Sequence, residues 1–243
     1  MPKSKPYLIG AGVVAAAALL GVVSYTATKP SEPSASPSVV VEQTVEPRSS
    51  AEPQSGVYPE LEKYARRDAK DPLAVGRADA PVVLIEYADF KCGYCGKFAR
   101  ETEPELMKKY VDEGTLRIEW RNFPIFGEES ERAARAAWAA GQQGRFWQFH
   151  KAAYAEGAKE KGFGKDRVLA LAREAGVPDA DRFGRDLDSE AARQAVAKDQ
   201  EQAYTLGATS TPSFLVNGRP IAGAQPMETF TTAIESARRE AAK

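Results

Sequence analysis

The chain has only two cysteines, and they stand three apart in Cys92-Gly93-Tyr94-Cys95, between an apolar run and a helical pattern. Any fold that honours this placement must finish a buried strand and start a helix within a few residues. The run Pro81-Val82-Val83-Leu84-Ile85-Glu86-Tyr87 is short, apolar and β-rich, and reads as a buried strand. From Gly96 to Tyr110, apolar Phe98, Leu106 and Tyr110 recur among charges with no intervening glycine, which predicts a helix. The first cysteine then lies at the positive end of a helix dipole, where a thiolate is favoured over a thiol. Such a pair is suited to exchanging thiols and disulfides. Stapling is a weak motive, because so small a ring would restrict the unfolded chain only slightly.

The composition removes several other chemistries. Lys+Arg 33 against Asp+Glu 34 gives a net charge of −1, which offers no basic footprint for nucleic acid. A single histidine, His150, supplies neither a serine-type triad with spare members nor a histidine-rich metal centre. Two cysteines and one histidine are one ligand short of a closed zinc site. No metal and no organic cofactor is expected, since the sulfurs carry the electrons themselves.

The N-terminus bears on the compartment. No charged residue occurs from Pro6 to Thr28, and Lys3 and Lys5 precede this apolar stretch. We read residues 1–6 as a cytoplasmic stub and 7–25 as a single-pass transmembrane anchor. A cleaved signal peptide shares the basic start and apolar middle and remains the alternative. Either option puts the cysteines outside the cytoplasm, where disulfides persist. Residues 26–57 are rich in Pro, Ser, Val and Glu and are expected to form a disordered linker.

Globular sequence begins near Tyr58. Pro59 to Ala69 suggests a short charged helix, and Thr115 to Arg121 alternates like a strand. Helical patterns follow over Glu128–Gln143, Phe146–Ala155, Lys165–Ala175, Asp179–Asp186 and Ser189–Leu206. The chain then predicts a hairpin, Ser213–Val216 and Arg219–Ala222 about Asn217-Gly218, and a terminal helix over Pro226–Ala242.

The order strand, redox helix, strand, helical block, hairpin, helix, with Thr211-Pro212 just ahead of a strand, resembles the DsbA-like thioredoxin-fold family. The resemblance runs from about Tyr58 to the C-terminus and is similar to membrane-anchored or secreted Gram-positive members. It implies an α/β thioredoxin fold over 58–127 and 206–243 with a helical insertion at 128–205. It also implies roles for particular residues. Cys92 would form the mixed disulfide with a substrate, and Cys95 would be the buried partner that resolves it. Pro212 would be the cis-proline of the family, turning Thr211 toward a bound peptide. Glu86, six residues before Cys92, would be the acid under the site that exchanges a proton with Cys95. Gly93 and Tyr94 would touch substrate. Asp89 and Lys91 are expected at the surface. Trp138, Phe146, Trp147 and Phe149 are read as core of the helical block, and His150 as structural or solvent-facing.

One departure divides the family reading. Strongly oxidising DsbA-like proteins commonly carry Pro-His between the cysteines, whereas this chain has Gly93-Tyr94, which with Thr211 is similar to DsbC-like isomerases. A disordered tether is expected where those isomerases carry a dimerisation domain, so a monomer is expected. The implied function is extracytoplasmic oxidation of cysteine pairs in exported proteins, with a membrane reoxidant, quinone-linked by family analogy, as second partner. An isomerase or reductase, or a tethered module that binds peptides without turnover, stands as the alternative.

Overall fold

The computed structural model describes residues 56–243. The expected stub, the anchor and all but the last two residues of the linker lie outside the described residues. Among the described residues no helix is long and apolar enough to cross a membrane.

The core is a five-stranded mixed sheet in the order β1-β3-β2-β4-β5. Its strands are β1 (Ala74–Val75), β2 (Val82–Ala88), β3 (Leu116–Asn122), β4 (Ser213–Val216) and β5 (Arg219–Ala222). β2 is central, parallel to β3 and antiparallel to β4. β1, a two-residue strand absent from the sequence reading, adds antiparallel to β3. Its brevity leaves no periodic pattern to detect. The hairpin turn is the predicted one. Asn217 and Gly218 both take positive φ, 40° and 75°. A Cβ on Gly218 would also meet the Tyr58 carbonyl at 2.4 Å, so glycine is required there twice over.

Side chains alternate across the strands. Val82, Leu84, Leu116, Ile118, Phe214 and Val216 face one way and pack with Phe98, Leu106, Phe230 and Ile234. Those four come from α1 (Gly93–Glu101), α2 (Glu103–Leu106) and α8 (Met227–Ala241). Val83, Ile85, Tyr87 and Leu215 face the other way. Between β3 and β4 run α3 (Glu128–Gly141), α4 (Phe146–Ala153), α5 (Lys165–Glu174), α6 (Ala180–Leu187) and α7 (Glu190–Thr205). All five lie within a residue or two of their predicted bounds, because glycines and caps such as Ser189 and Asp179 mark their ends.

Two elements differ from the sequence reading. Pro59–Tyr64 is a 3-10 helix and stops well before Ala69. The redox helix begins at Gly93 and breaks at Thr102. Pro104 causes the break: it has no N–H to donate, and its ring collides with the carbonyl four residues back. After α2 the chain widens into a π-helical turn at Met107–Val111 before reaching β3.

The polar face of β3 is not solvated. Arg117, Glu119 and Arg121 are buried at 3%, 0% and 0% exposure beneath residues 66–71 and α7. Glu119 accepts from Arg117 Nε at 2.8 Å, from Arg121 Nη2 at 2.7 Å and from the N–H groups of Arg66 and Arg67, each at 2.8 Å. Burial pushes its carboxyl up, but Arg121, Arg117 and the Arg66 N–H outweigh that and hold it at about 2. Asp199 of α7 pairs with Arg66 and accepts from the Asn122 N–H at 3.0 Å. Glu119→Gln should therefore strand two buried guanidinium groups and cost about 3–5 kcal/mol in urea unfolding. Breaking the exposed Arg77–Asp79 pair should leave the midpoint in place.

Candidate active site

β2 ends at Ala88, and the next seven residues build the site. Asp89, expected at the surface, is instead 1% exposed. Its carboxylate accepts from Lys91 N–H at 2.8 Å, Ser130 Oγ at 2.7 Å, and the N–H groups of Ile125 and Phe126 at 2.7 and 3.2 Å. A short acceptor two residues before Lys91 closes an Asx turn, which is what steers the chain from strand into helix. Lys91 is half-buried and pairs with Glu129 at 3.0 Å. Phe90 points inward, stacked on Tyr154 with ring centroids 5.0 Å apart and 5.1 Å from Trp120. The cysteines thus sit where the sheet meets the helical block.

Cys92 is the N-cap of α1. Its backbone is extended (φ −75°, ψ 121°), and its sulfur accepts from the Cys95 N–H at 3.4 Å, the place a serine or aspartate oxygen usually takes. On its other side the Cys92 thiol donates to the Thr211 carbonyl at 3.2 Å. A hydrogen bond from the Cys95 thiol is the main influence lowering the Cys92 pKa, to about 6; the N–H groups of Cys95 and Tyr94 add to it against the cost of burial. Cys95, fully buried one turn in, is pushed well above the usual thiol range by burial and then by Cys92. One sulfur is prepared as a thiolate and the other is kept as a thiol, both free.

The remaining predicted residues are distributed around this pair. The Thr211–Pro212 peptide is cis, and both residues are buried beside Cys92. Gly93 opens α1, and Tyr94 is exposed to solvent at 70%. Glu86 lies on the α1 face of β2 with no exposure, so it is not at a solvated strand end. Among the described residues neither of its carboxylate oxygens has a hydrogen-bond partner. Burial, then Glu103 and Cys92, raise its pKa well above the carboxylate range. Phe146 and Phe149 are core, with Trp138 and Trp147 packed against them. His150 is buried rather than solvent-facing.

Several residues at the site carried no sequence signal. A cleft of about 160 Å³ beside Cys92 is lined by Phe90, Gly93, Arg100, Tyr154 and Lys159, among others. The Lys159 ammonium lies beside Gly93 at the start of the redox helix, 3.4 Å from where a Cβ there would stand. Glu103 is buried below the pair, and nothing in its charged context announces this. Among the described residues no group of His, Cys, Asp or Glu is placed to hold a metal ion.

Comparison with known proteins agrees with this geometry. The thioredoxin family model matches residues 68–236. A Bacillus cereus protein named "Probable disulfide bond formation protein D" is 33% identical over 151 residues, 60% of this chain and 69% of the relative. The solved structure of oxidised BdbD from Bacillus subtilis superposes with a TM-score of 0.65 at 23% identity, covering 71% of this chain and 95% of that one, and shows the fold. A thioredoxin-like oxidoreductase from Silicibacter pomeroyi superposes at 0.62 with 31% identity, covering 71% and 94%. The chain belongs to the thioredoxin family, as a DsbA-like thiol:disulfide oxidoreductase.

The sulfur environment has a pH signature. A thiol whose pKa falls on folding stabilises the folded dithiol form most above its ordinary value near 9, and that advantage is lost as pH falls through about 6. Alkylation of Cys92 should therefore titrate near pH 6, and the stability advantage of the dithiol protein over Cys92→Ser should shrink steadily from pH 9 to pH 6. A titration midpoint near pH 9 would contradict the assignment.

Proposed function

We propose that this chain oxidises cysteine pairs in exported proteins through a Cys92–Cys95 disulfide. A substrate thiolate attacks Cys92 in the disulfide, and Cys95 leaves, taking a proton by way of Glu86. The second substrate thiolate then attacks the substrate sulfur of the mixed disulfide and releases Cys92 as a thiolate. The substrate loses two electrons and gains a disulfide; the enzyme is left as the dithiol. The observation that carries the direction is the capped Cys92 sulfur. A site that lowers this pKa to about 6 stabilises the released thiolate and so favours the reduced enzyme.

Thr211 and Pro212 form the floor on which a substrate strand would lie, and Gly93 and Tyr94 flank it. The thioredoxin-like part is assigned to 58–127 and 206–243, and the helical insertion to 128–205. The apolar stretch 7–25 would hold the domain at the outer face of the cell membrane, on the linker 26–57, as a monomer. Turnover needs a membrane reoxidant to restore the disulfide, for which a quinone-linked enzyme has suitable chemistry. A reductase or isomerase is the second reading, supported by Gly93-Tyr94, which places no imidazole beside the thiolate.

Cys95→Ala should accumulate a mixed disulfide with a test protein carrying scrambled disulfides, because the Cys92 thiolate opens a substrate disulfide and no Cys95 is left to release it; the adduct is a reducible band on gels, and Cys92→Ala should form none. The oxidised wild-type protein should transfer one disulfide per molecule to the same test protein in its fully reduced form. Recovery of scrambled substrate by the dithiol form, without net oxidation of reduced substrate, would favour the isomerase.

A further inference from the structure

Near Cys95 lies a group of buried polar atoms of which the exchange chemistry above uses only Glu86. Cys95 and Ala99 lie one turn apart on α1, and Glu103 opens α2 directly after the break at Thr102. Glu103 is 4% exposed, and its Oε2 stands 3.6 Å from His150 Nδ1 on α4. His150 is itself 2% exposed and lies 5.0 Å, ring to ring, from Trp120. Trp120 is the register partner of Glu86 on β2. Glu103 raises the pKa of Glu86 through its charge, so β2 and α2 bring the two carboxyls near each other, with His150 against Glu103. Among the described residues Glu86 Oε1 and Oε2, Glu103 Oε1, His150 Nε2 and the Tyr154 hydroxyl have no hydrogen-bond partner. So many orphaned polar atoms near one sulfur are poor structural design and a good proton store.

We propose that Glu103, set against His150, is a positioning residue for proton transfer at Cys95. In this scheme Glu86 and the Glu103–His150 pair act as one buried acid, which protonates Cys95 when the disulfide opens and recovers that proton when Cys95 attacks. This inference rests on the thiol-exchange reading above. The proton moves from the Glu86 carboxyl to the Cys95 sulfur as the Cys92–Cys95 bond breaks, leaving Glu86 as a carboxylate. Glu103 sets how readily that carboxylate forms. Burial alone holds Glu103 up to about 8 and His150 down to about 3, so near neutrality the pair carries one proton and no net charge. As Glu103 ionises, its charge opposes ionisation of Glu86, which then keeps its proton to higher pH. The other titratable or charged groups nearby are Cys92 at the N-cap of α1, Arg100 on α1, Asp89 after β2, and Tyr154 at the C-cap of α4. Arg100 is engaged by the Tyr154 carbonyl at 2.9 Å, and Asp89 by the four donors already named.

The test is the pH dependence of disulfide opening by dithiothreitol, corrected for the thiolate fraction of the reagent. In the wild-type protein the corrected rate should fall at high pH, as Glu86 gives up its proton. Glu103→Gln should move this falling limb down by roughly one pH unit, while Glu86→Gln should abolish it. A limb that stays in place in a folded Glu103→Gln protein, and vanishes in Glu86→Gln, would overturn the role of Glu103 and leave that of Glu86 standing. A limb unchanged in both would overturn the proton store entirely. Failure of the wild-type disulfide to open at all would instead sink the exchange reading. If Glu103→Gln does not fold, carbon-13 NMR of the wild-type protein with labelled glutamate decides. Two buried carboxyls should change their titration between disulfide and dithiol forms; a change in only one would overturn the proposal.

Discussion

The structure depends on one hydrogen bond that does two jobs. The Cys95 N–H reaches the Cys92 sulfur at 3.4 Å, and so caps the first turn of α1 and feeds positive potential to the reacting atom. In an ordinary helix this position calls for serine, threonine or aspartate. Using a sulfur ties helix start and thiolate together, so whatever defines the end of β2 also defines the reactivity of Cys92. Asp89 is that definition. Its four hydrogen bonds fasten the strand end to Ile125, Phe126 and Ser130, and the helix can begin at only one place.

The same junction explains the asymmetry of the two sulfurs. Cys92 keeps 6% of its surface, beside the Thr211 carbonyl, while Cys95 keeps none and faces Glu86 from above. A released thiolate at Cys92 is stabilised by the helix end. A released thiolate at Cys95 would be buried against carboxyls, so it must take a proton at once. Attack at Cys92, with Cys95 as the protonated leaving group, is the only sequence that avoids a buried sulfur anion. The helical block contributes to this beyond its bulk. Phe90, Tyr154 and His150 seal the space below, and Lys159 reaches over Gly93 from outside.

Much of this was legible in the sequence. The limits of β2 to β5, of α3 to α7 and of the terminal helix followed from period, caps and glycines, and Cys92, Cys95, Glu86, Thr211 and Pro212 do converge. What escaped were features set by tertiary cover alone. Arg117, Glu119 and Arg121 alternate with apolar residues just as a half-exposed strand would, and only the segment at 66–71 and α7 reveal that both faces are buried. Asp89 looks like a surface charge until the loops that bond it are in place. Glu103 follows Glu101 and precedes Glu105, and its burial depends on the break that Pro104 introduces. Gly93-Tyr94 argued for a weaker oxidant because it lacks an imidazole, yet the backbone and Cys95 lower the Cys92 pKa without one.

The central claim is that the fold stabilises the Cys92 thiolate enough to make the disulfide an oxidant. The reduction potential of the protein, by equilibration against glutathione, tests it most directly. The account predicts a value toward that of strong oxidants, about −120 mV. A value near that of thioredoxin, about −270 mV, would contradict it and make the dithiol the working form.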